Sequence, residues 1–179
     1  ALAEILPTDE EALTRWLGDN FNDYTGTGYL PAYCGFHPAQ RVLARENLYS
    51  RRLSDVGYLT GLIAEQAKVG SAREWQITAL NPSDGINLNT DGVARPGLLF
   101  GVPWTAIREQ QQRLLKFGVR PRRLEVATLA LLGTLSQHLA RTGFGNSIVV
   151  CEIEHSQTRT YVVAKDGVHT LSPLPHGLL

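Results

Sequence analysis

The sequence predicts a mixed α/β fold, and three observations carry that expectation. Amphipathic stretches at helical spacing recur near residues 9–21, 55–69, 104–117 and 128–141. Short apolar stretches that suit strands fall between them. Three more such stretches follow the last helix, joined by polar turns too short to hold another helix. Strand–helix–strand units that end in a meander belong to a mixed sheet rather than to a bundle or a sandwich.

Composition limits the function classes. At 179 residues the chain can hold one ordinary domain or two small subdomains that share a core, and 43% apolar with 19% charged residues is a folded composition. Seventeen basic residues balance seventeen acidic ones, so no global field draws nucleic acid or an anionic membrane. The one basic cluster, Arg120, Arg122 and Arg123 around Pro121, reads as a solvated loop. Cys34 and Cys151 belong to no CxxC pair and no zinc spacing, and both read as small buried hydrophobes in a reducing compartment. No apolar run approaches the roughly 18 residues needed to cross a bilayer, and no signal peptide opens the chain. The chain begins at Ala1 and contains no methionine, which suggests a processed or excised piece.

In chain order, Thr8 or Asp9 caps a helix over about 9–21, with Glu10 and Glu11 in its first turn and Ala12, Leu13, Trp16 and Leu17 as its stripe. Residues 22–28 read as a loop. Strand-like stretches at 29–36 and 41–48 flank His37-Pro38-Ala39-Gln40, which suggests a hairpin or bent ribbon. The 55–69 helix carries Leu59, Leu62, Ile63 and Gln66 on one face and ends before Gly70. A strand follows at 75–80, then a polar loop at 81–92 and a short apolar strand at 97–102. The 104–117 helix points Ile107, Gln111, Leu114 and Leu115 inward and is capped by Gly118. After a strand at 119–126, the 128–141 helix carries Leu131, Leu132, Leu135 and Leu139 and stops at Gly143. Residues 147–153, 158–164 and 168–174 form the closing meander, the last two stretches joined by the hairpin signal Lys165-Asp166-Gly167. Trp16, Trp75 and Trp104 read as core, with Trp75 also a candidate partner contact.

This order of pieces resembles the PilM family of type IV pilus assembly proteins. The resemblance is carried by Gly97-Leu-Leu-Phe-Gly-Val-Pro-Trp leading into a helix, by Gly118-Val-Arg-Pro-Arg-Arg-Leu-Glu-Val, and by the helix opening Leu129-Ala-Leu-Leu. Upstream it includes the ribbon with Arg41-Val-Leu-Ala-Arg45, the helix with Ala64-Glu65-Gln66 and the strand that begins at Trp75; in all it covers about residues 9–177. It implies an actin-like (ribonuclease H-like) mixed sheet with an inserted small α/β subdomain, incomplete here. The insert would fall at about 29–96 and the core strands and helices at about 97–179. The cytoplasmic part of the type II secretion platform protein is the similar alternative, and the actin-like cell-division protein shares the same inserted subdomain.

The resemblance also implies where chemistry would sit. Actin-like folds grip nucleotide phosphates with two hairpin turns, whose glycines let phosphate oxygens reach backbone N–H groups. Here the second turn reads Glu152-Ile153-Glu154-His155-Ser156-Gln157-Thr158. Glu152 keeps a carboxylate where the family's metal-placing Asp stands, and Ser156 and Thr158 match its hydroxyl positions. Glu154 replaces the glycine. Two like charges at about 4 Å repel by roughly 1 kcal/mol in water and about 4 kcal/mol in a half-buried site, so a phosphate there is disfavoured. The family's first phosphate turn and its adenine-binding half do not occur in this chain. Mg-ATP is therefore expected only in a longer parent, and the phosphate turn, Glu152, Ser156 and Thr158, is degenerate.

Other constellations are weaker. The glycine-rich spots at 26–28 and 143–145 lack P-loop or dinucleotide spacing. Glu152, Glu154 and His155 would need a bend to share a metal, since 155 alternates to the other face, and they read as a solvated hairpin-edge group. None of His37, His138, His155, His169 or His176 lies in a nucleophile elbow. The expectation is a non-catalytic, cytoplasmic scaffold peripheral to the inner membrane. It would bind a cytoplasmic peptide of an inner-membrane pilus assembly protein in a groove between residues 29–48 and the strand–helix unit after residue 97. It would bind no nucleic acid and would not insert in the membrane. The competing classes are a nucleotide-binding ATPase fragment and a free-standing α/β domain.

Overall fold

The computed structural model describes residues 10–21, 28–85, 88, 93–143, 145–155 and 157–178. Helix α1 spans Glu10–Phe21, with Trp16 and Phe21 in edge-to-face contact at 5.5 Å between ring centroids. The expected cap at Thr8 or Asp9, most of the 22–28 loop and residues 86–87 and 89–92 of the 81–92 loop lie outside the described residues. The elements that follow are β1 (Leu30–Phe36), β2 (Val42–Tyr49), α2 (Val56–Ala67), β3 (Trp75–Leu80), β4 (Ala94–Pro103) and α3 (Trp104–Lys116). Next come β5 (Val119–Val126), α4 (Ala127–Thr142), β6 (Ile148–Ile153), β7 (Thr158–Ala164) and β8 (Gly167–Thr170). No helix among the described residues is long and apolar enough to cross a membrane.

The strands make three sheets. β1 and β5 run parallel, β4 lies between β2 and β3 in an antiparallel sheet, and β6, β7 and β8 form the expected antiparallel meander. The hairpin suggested for residues 29–48 does not form. Phe36 ends β1 in one sheet and Val42 begins β2 in another, because each strand meets a better partner elsewhere: β5 for β1, β4 for β2. The cluster at 120–123 is not a loop. Arg120, Arg122 and Arg123 lie within β5, where a register irregularity opposite Ala32 and Tyr33 leaves Arg122 outside the pairing.

Burial explains the order. β4 is the long apolar run at the centre of its sheet, and Leu98 to Val102 are all buried. Its pleat sends successive residues to opposite faces. Leu99 packs with Val42, Ala44 and Ile63 under α2, while Leu98 packs with Leu132 and Leu139 of α4 and with Tyr161, Val163 and Val168 of the meander. Phe100 and Val102 join Phe36 and, from α3, Ile107. β2 docks on the meander through Arg45, whose N–H donates to Thr170 Oγ1 at 2.9 Å and whose Nη1 donates to the Val168 carbonyl at 3.1 Å.

Helix ends follow local chemistry. The Asp55 carboxylate accepts the Tyr58 N–H at 3.1 Å and caps α2, which ends on Lys68 in the left-handed region, ahead of the expected Gly70. Gly118 and Gly143 end α3 and α4 at φ +69° and +65°, as read from the sequence. Several side chains differ from expectation. Leu115, Leu131 and Trp104 are exposed, since each lies at the edge of its helix's apolar stripe, and Trp16 and Trp75 are only half-buried. Cys151 is exposed on the outer face of β6, and Cys34 is half-buried, where burial pushes its thiol pKa up. The third meander strand is shorter than read: it stops at Thr170, and Leu174 returns to Thr158 through an isolated bridge.

Gly167, at φ +110°, opens β8 against the turn after β3, and Val168 N–H donates to the Pro82 carbonyl at 2.9 Å. A Cβ at this position would stand 2.4 Å from the Pro82 carbonyl oxygen. Gly167→Ala is therefore expected to cost on the order of 3 kcal/mol or more, from positive-φ strain plus a displaced backbone. Gly143→Ala, where nothing lies within 4 Å of the added carbon, should cost about 1 kcal/mol. Urea midpoints of the two variants check the difference, and equal midpoints would contradict the packing account.

Candidate functional site

The expected phosphate turn lies where the two halves of the chain meet. Glu152 points inward from β6, half-buried between exposed neighbours, because the strand alternates and its even-numbered residues face α4. Glu154, just past the strand, turns its carboxylate to the same side. Both side chains are 16% exposed, so they are not the solvated hairpin edge suggested by the sequence. Their partner is Arg41, which enters from the 38–41 segment before β2 with its side chain 1% exposed. Its Nη2 donates to Glu152 Oε2 and, at 2.6 Å, to Glu154 Oε1, and its Nη1 donates to the Pro38 carbonyl at 2.6 Å.

The rest of the shell completes both carboxylates. Thr128, at the start of α4, donates its hydroxyl to Glu152 Oε1 at 2.5 Å, and the Tyr161 hydroxyl donates to Glu152 Oε2 at 3.1 Å. Glu154 accepts from Arg159 Nη1 at 2.6 Å and from Gln157 Nε2 at 2.9 Å. His37 Nε2 stands 3.5 Å from an oxygen of each glutamate. Arg41 Nε is buried with no partner among the described residues, a cost accepted for the two pairs its Nη groups make.

Burial pushes the Glu152 pKa up, but the hydrogen bond from Thr128, the Arg41 charge and the Tyr161 hydroxyl outweigh it and hold the carboxyl below its usual range. The same neighbourhood raises the Tyr161 phenol, first through burial and then through the Glu152 charge, so the phenol stays a donor.

The sequence-predicted site residues separate in space. Glu152 lies in this cluster. Thr158 does not: its hydroxyl donates to the His176 carbonyl at 2.7 Å and its backbone pairs with Leu174, so it holds the C-terminal segment. Ser156 lies outside the described residues. Of the histidines, His37 rather than His155 reaches the glutamates. Sequence reading missed Arg41, Thr128, Arg159 and Tyr161 as members. The β6–β7 register offers a signal for one, since Glu152 pairs directly with Arg159. Arg41 lies 111 residues from Glu152 and leaves no local trace.

Ligating atoms of His37, Glu152 and Glu154 fall within 4.8 Å of one another. The Arg41 guanidinium, however, stands where a cation between the two carboxylates would, and Arg159 balances the second charge. A phosphate placed against Glu154 would meet a carboxylate held in place by Arg41, Arg159 and Gln157. The cluster is chemically closed.

Two outcomes follow. Arg41→Met should destabilise the fold by about 3–5 kcal/mol, since it leaves two half-buried carboxylates facing each other, and adding Glu154→Gln should recover part of that loss in chemical denaturation. Glu152 has a folded-state pKa below its ordinary 4.5. Its contribution is thus present above about pH 4.5 and is lost as the pH falls through the lowered folded value. The stability of Glu152→Gln should then fall less steeply in acid than that of the parent, and parallel acid limbs would contradict the pairing.

No family model matches the chain, and no curated protein matches it. Among solved structures, the fold is similar to a chain of a PilM-PilN type IV pilus biogenesis complex, with a TM-score of 0.61 and 17% identity over 98% of this chain and 51% of that one. The chain spans about half the length of that protein, and at this identity the likeness shows a PilM-like α/β fold.

Proposed function

We propose that the chain is a non-catalytic interaction module of the PilM kind, which binds an extended peptide from an inner-membrane protein of a type IV pilus assembly platform. The observation that carries this reading is the fold likeness across 98% of the chain to a protein solved in a PilM-PilN complex. Two features of the site support it.

The first is the closed ion cluster. Glu154 is bound by Arg41, Arg159 and Gln157, and the resemblance aligns it with a glycine of an actin-like phosphate turn, which supports reading the turn as cohesive rather than nucleotide-binding. The second is a cleft of about 540 Å³ between residues 36–40 and α3, lined by Phe36, His37, Pro38, Thr105, Glu109 and Arg113. It lies between the early ribbon and the strand–helix unit from which the sequence suggested a groove. A mixed wall of this kind, with apolar Phe36 and Pro38 beside polar α3 side chains, suits side chains of an extended peptide.

Calorimetric titration with peptides from the cytoplasmic tails of pilus and secretion platform proteins should give saturable, micromolar binding by one of them. Thr105→Trp, which fills the cleft mouth from an exposed helix position, should weaken it at least tenfold without altering the fold. Mg-ATP should leave the melting temperature unchanged; a clear rise would favour the ATPase reading instead. Absent binding by every peptide would count against the module reading.

A further inference from the structure

The basic cluster that the sequence placed in a loop occupies a strand face instead. The eight residues from Lys116 to Arg123 contain four basic residues and no acid, in a chain whose total charge is zero. Lys116 ends α3, and Arg120, Arg122 and Arg123 lie exposed on β5. Arg123 pairs with Glu125 at 2.9 Å, whereas Lys116, Arg120 and Arg122 meet no acid among the described residues. Across the sheet, Tyr33 lies in register with Arg123 and is 78% exposed, and Pro31 lies opposite Arg120. Leu115, beside Lys116, is exposed as well.

A parallel pair of strands ordinarily has both faces covered. Here one face meets the core through Phe36, Leu124 and Val126, and the other carries Tyr33, Arg120 and the Arg123–Glu125 pair, with Arg122 exposed at the bulge beside them. We propose that this outward face of β1 and β5 docks on an anionic phospholipid surface. Arginines at a lipid surface gain from anionic headgroups at short range, and a tyrosine suits the headgroup level because its ring is apolar and its hydroxyl polar. With no net charge behind it, the attraction acts only within about 8 Å at physiological salt, which suits adsorption once the chain is already near the membrane. The inference is independent of the peptide-binding reading, since a chain that binds no peptide would carry the same face.

Co-sedimentation with vesicles tests it. The chain should sediment with phosphatidylglycerol-rich vesicles at low ionic strength, much less with pure phosphatidylcholine, and progressively less as salt rises. Each arginine neutralised should lower the partition about fivefold, so Arg120→Gln with Arg122→Gln should lower it about 25-fold. Both positions are exposed, and an unchanged circular dichroism melt confirms that the variant folds. Equal sedimentation with both lipids, or a double variant that sediments like the parent, would overturn the proposal. So would an oligonucleotide that binds the same face more tightly than the vesicles do.

Discussion

Strand β4 has no solvent face along residues 98–102, and this constraint arranges most of what surrounds it. A strand whose two sides are both apolar must be covered twice. α2 covers one side through Ile63; α4 and the meander cover the other through Leu132 and Val163, with α3 filling the corner at Phe100 and Val102. Gly101 shows how close this packing is, since a Cβ there would lie 2.6 Å from Ile63 Cδ1. β2 and β3 then have their positions on either edge of β4 set for them.

Hydrophobic packing alone does not set how the segment before β2 meets the turn after β6. That junction is ionic. Arg41 is inserted between two carboxylates that would otherwise repel, and Arg159 and Gln157 hold the outer one in place. Each charge is partly removed from water, so its worth lies in the pairing: two arginines and three neutral donors serve the two carboxylates, at the cost of one orphaned Arg41 Nε, and a gap would leave a half-buried charge exposed to its like. The turn after β6 is thereby tied into the protein's own structure.

Much of the fold was legible in the sequence because helices and strands leave periodic traces. The four helices, the β3 strand and the first two strands of the closing meander lie where spacing and turn residues indicated, and the third is shorter. Strand partners leave no such trace. β1 and β2 look like a hairpin from within residues 29–48, and only the distant stretches β5 and β4 draw them apart. The site was half legible: Glu152 and Glu154 could be read from the turn, but their consequence depended on Arg41, more than a hundred residues away. Burial by amphipathic edge was misjudged for Trp104 and Cys151 for a similar reason, since a strand or helix shows which side is apolar before it shows whether anything covers that side.

The ion cluster also constrains how this sequence can drift. A substitution at 41, 152, 154 or 159 taken alone strands an opposite charge, so each position is tolerant only in the company of its partner. A glutamate at 154 is compatible with arginine at 41 and 159, and a glycine at 154 would leave Arg159 without its carboxylate and Arg41 with Glu152 alone. Change at this turn therefore runs through paired substitutions, with single steps penalised. Once closed in this way, the turn is held shut by epistasis as much as by hydrogen bonds.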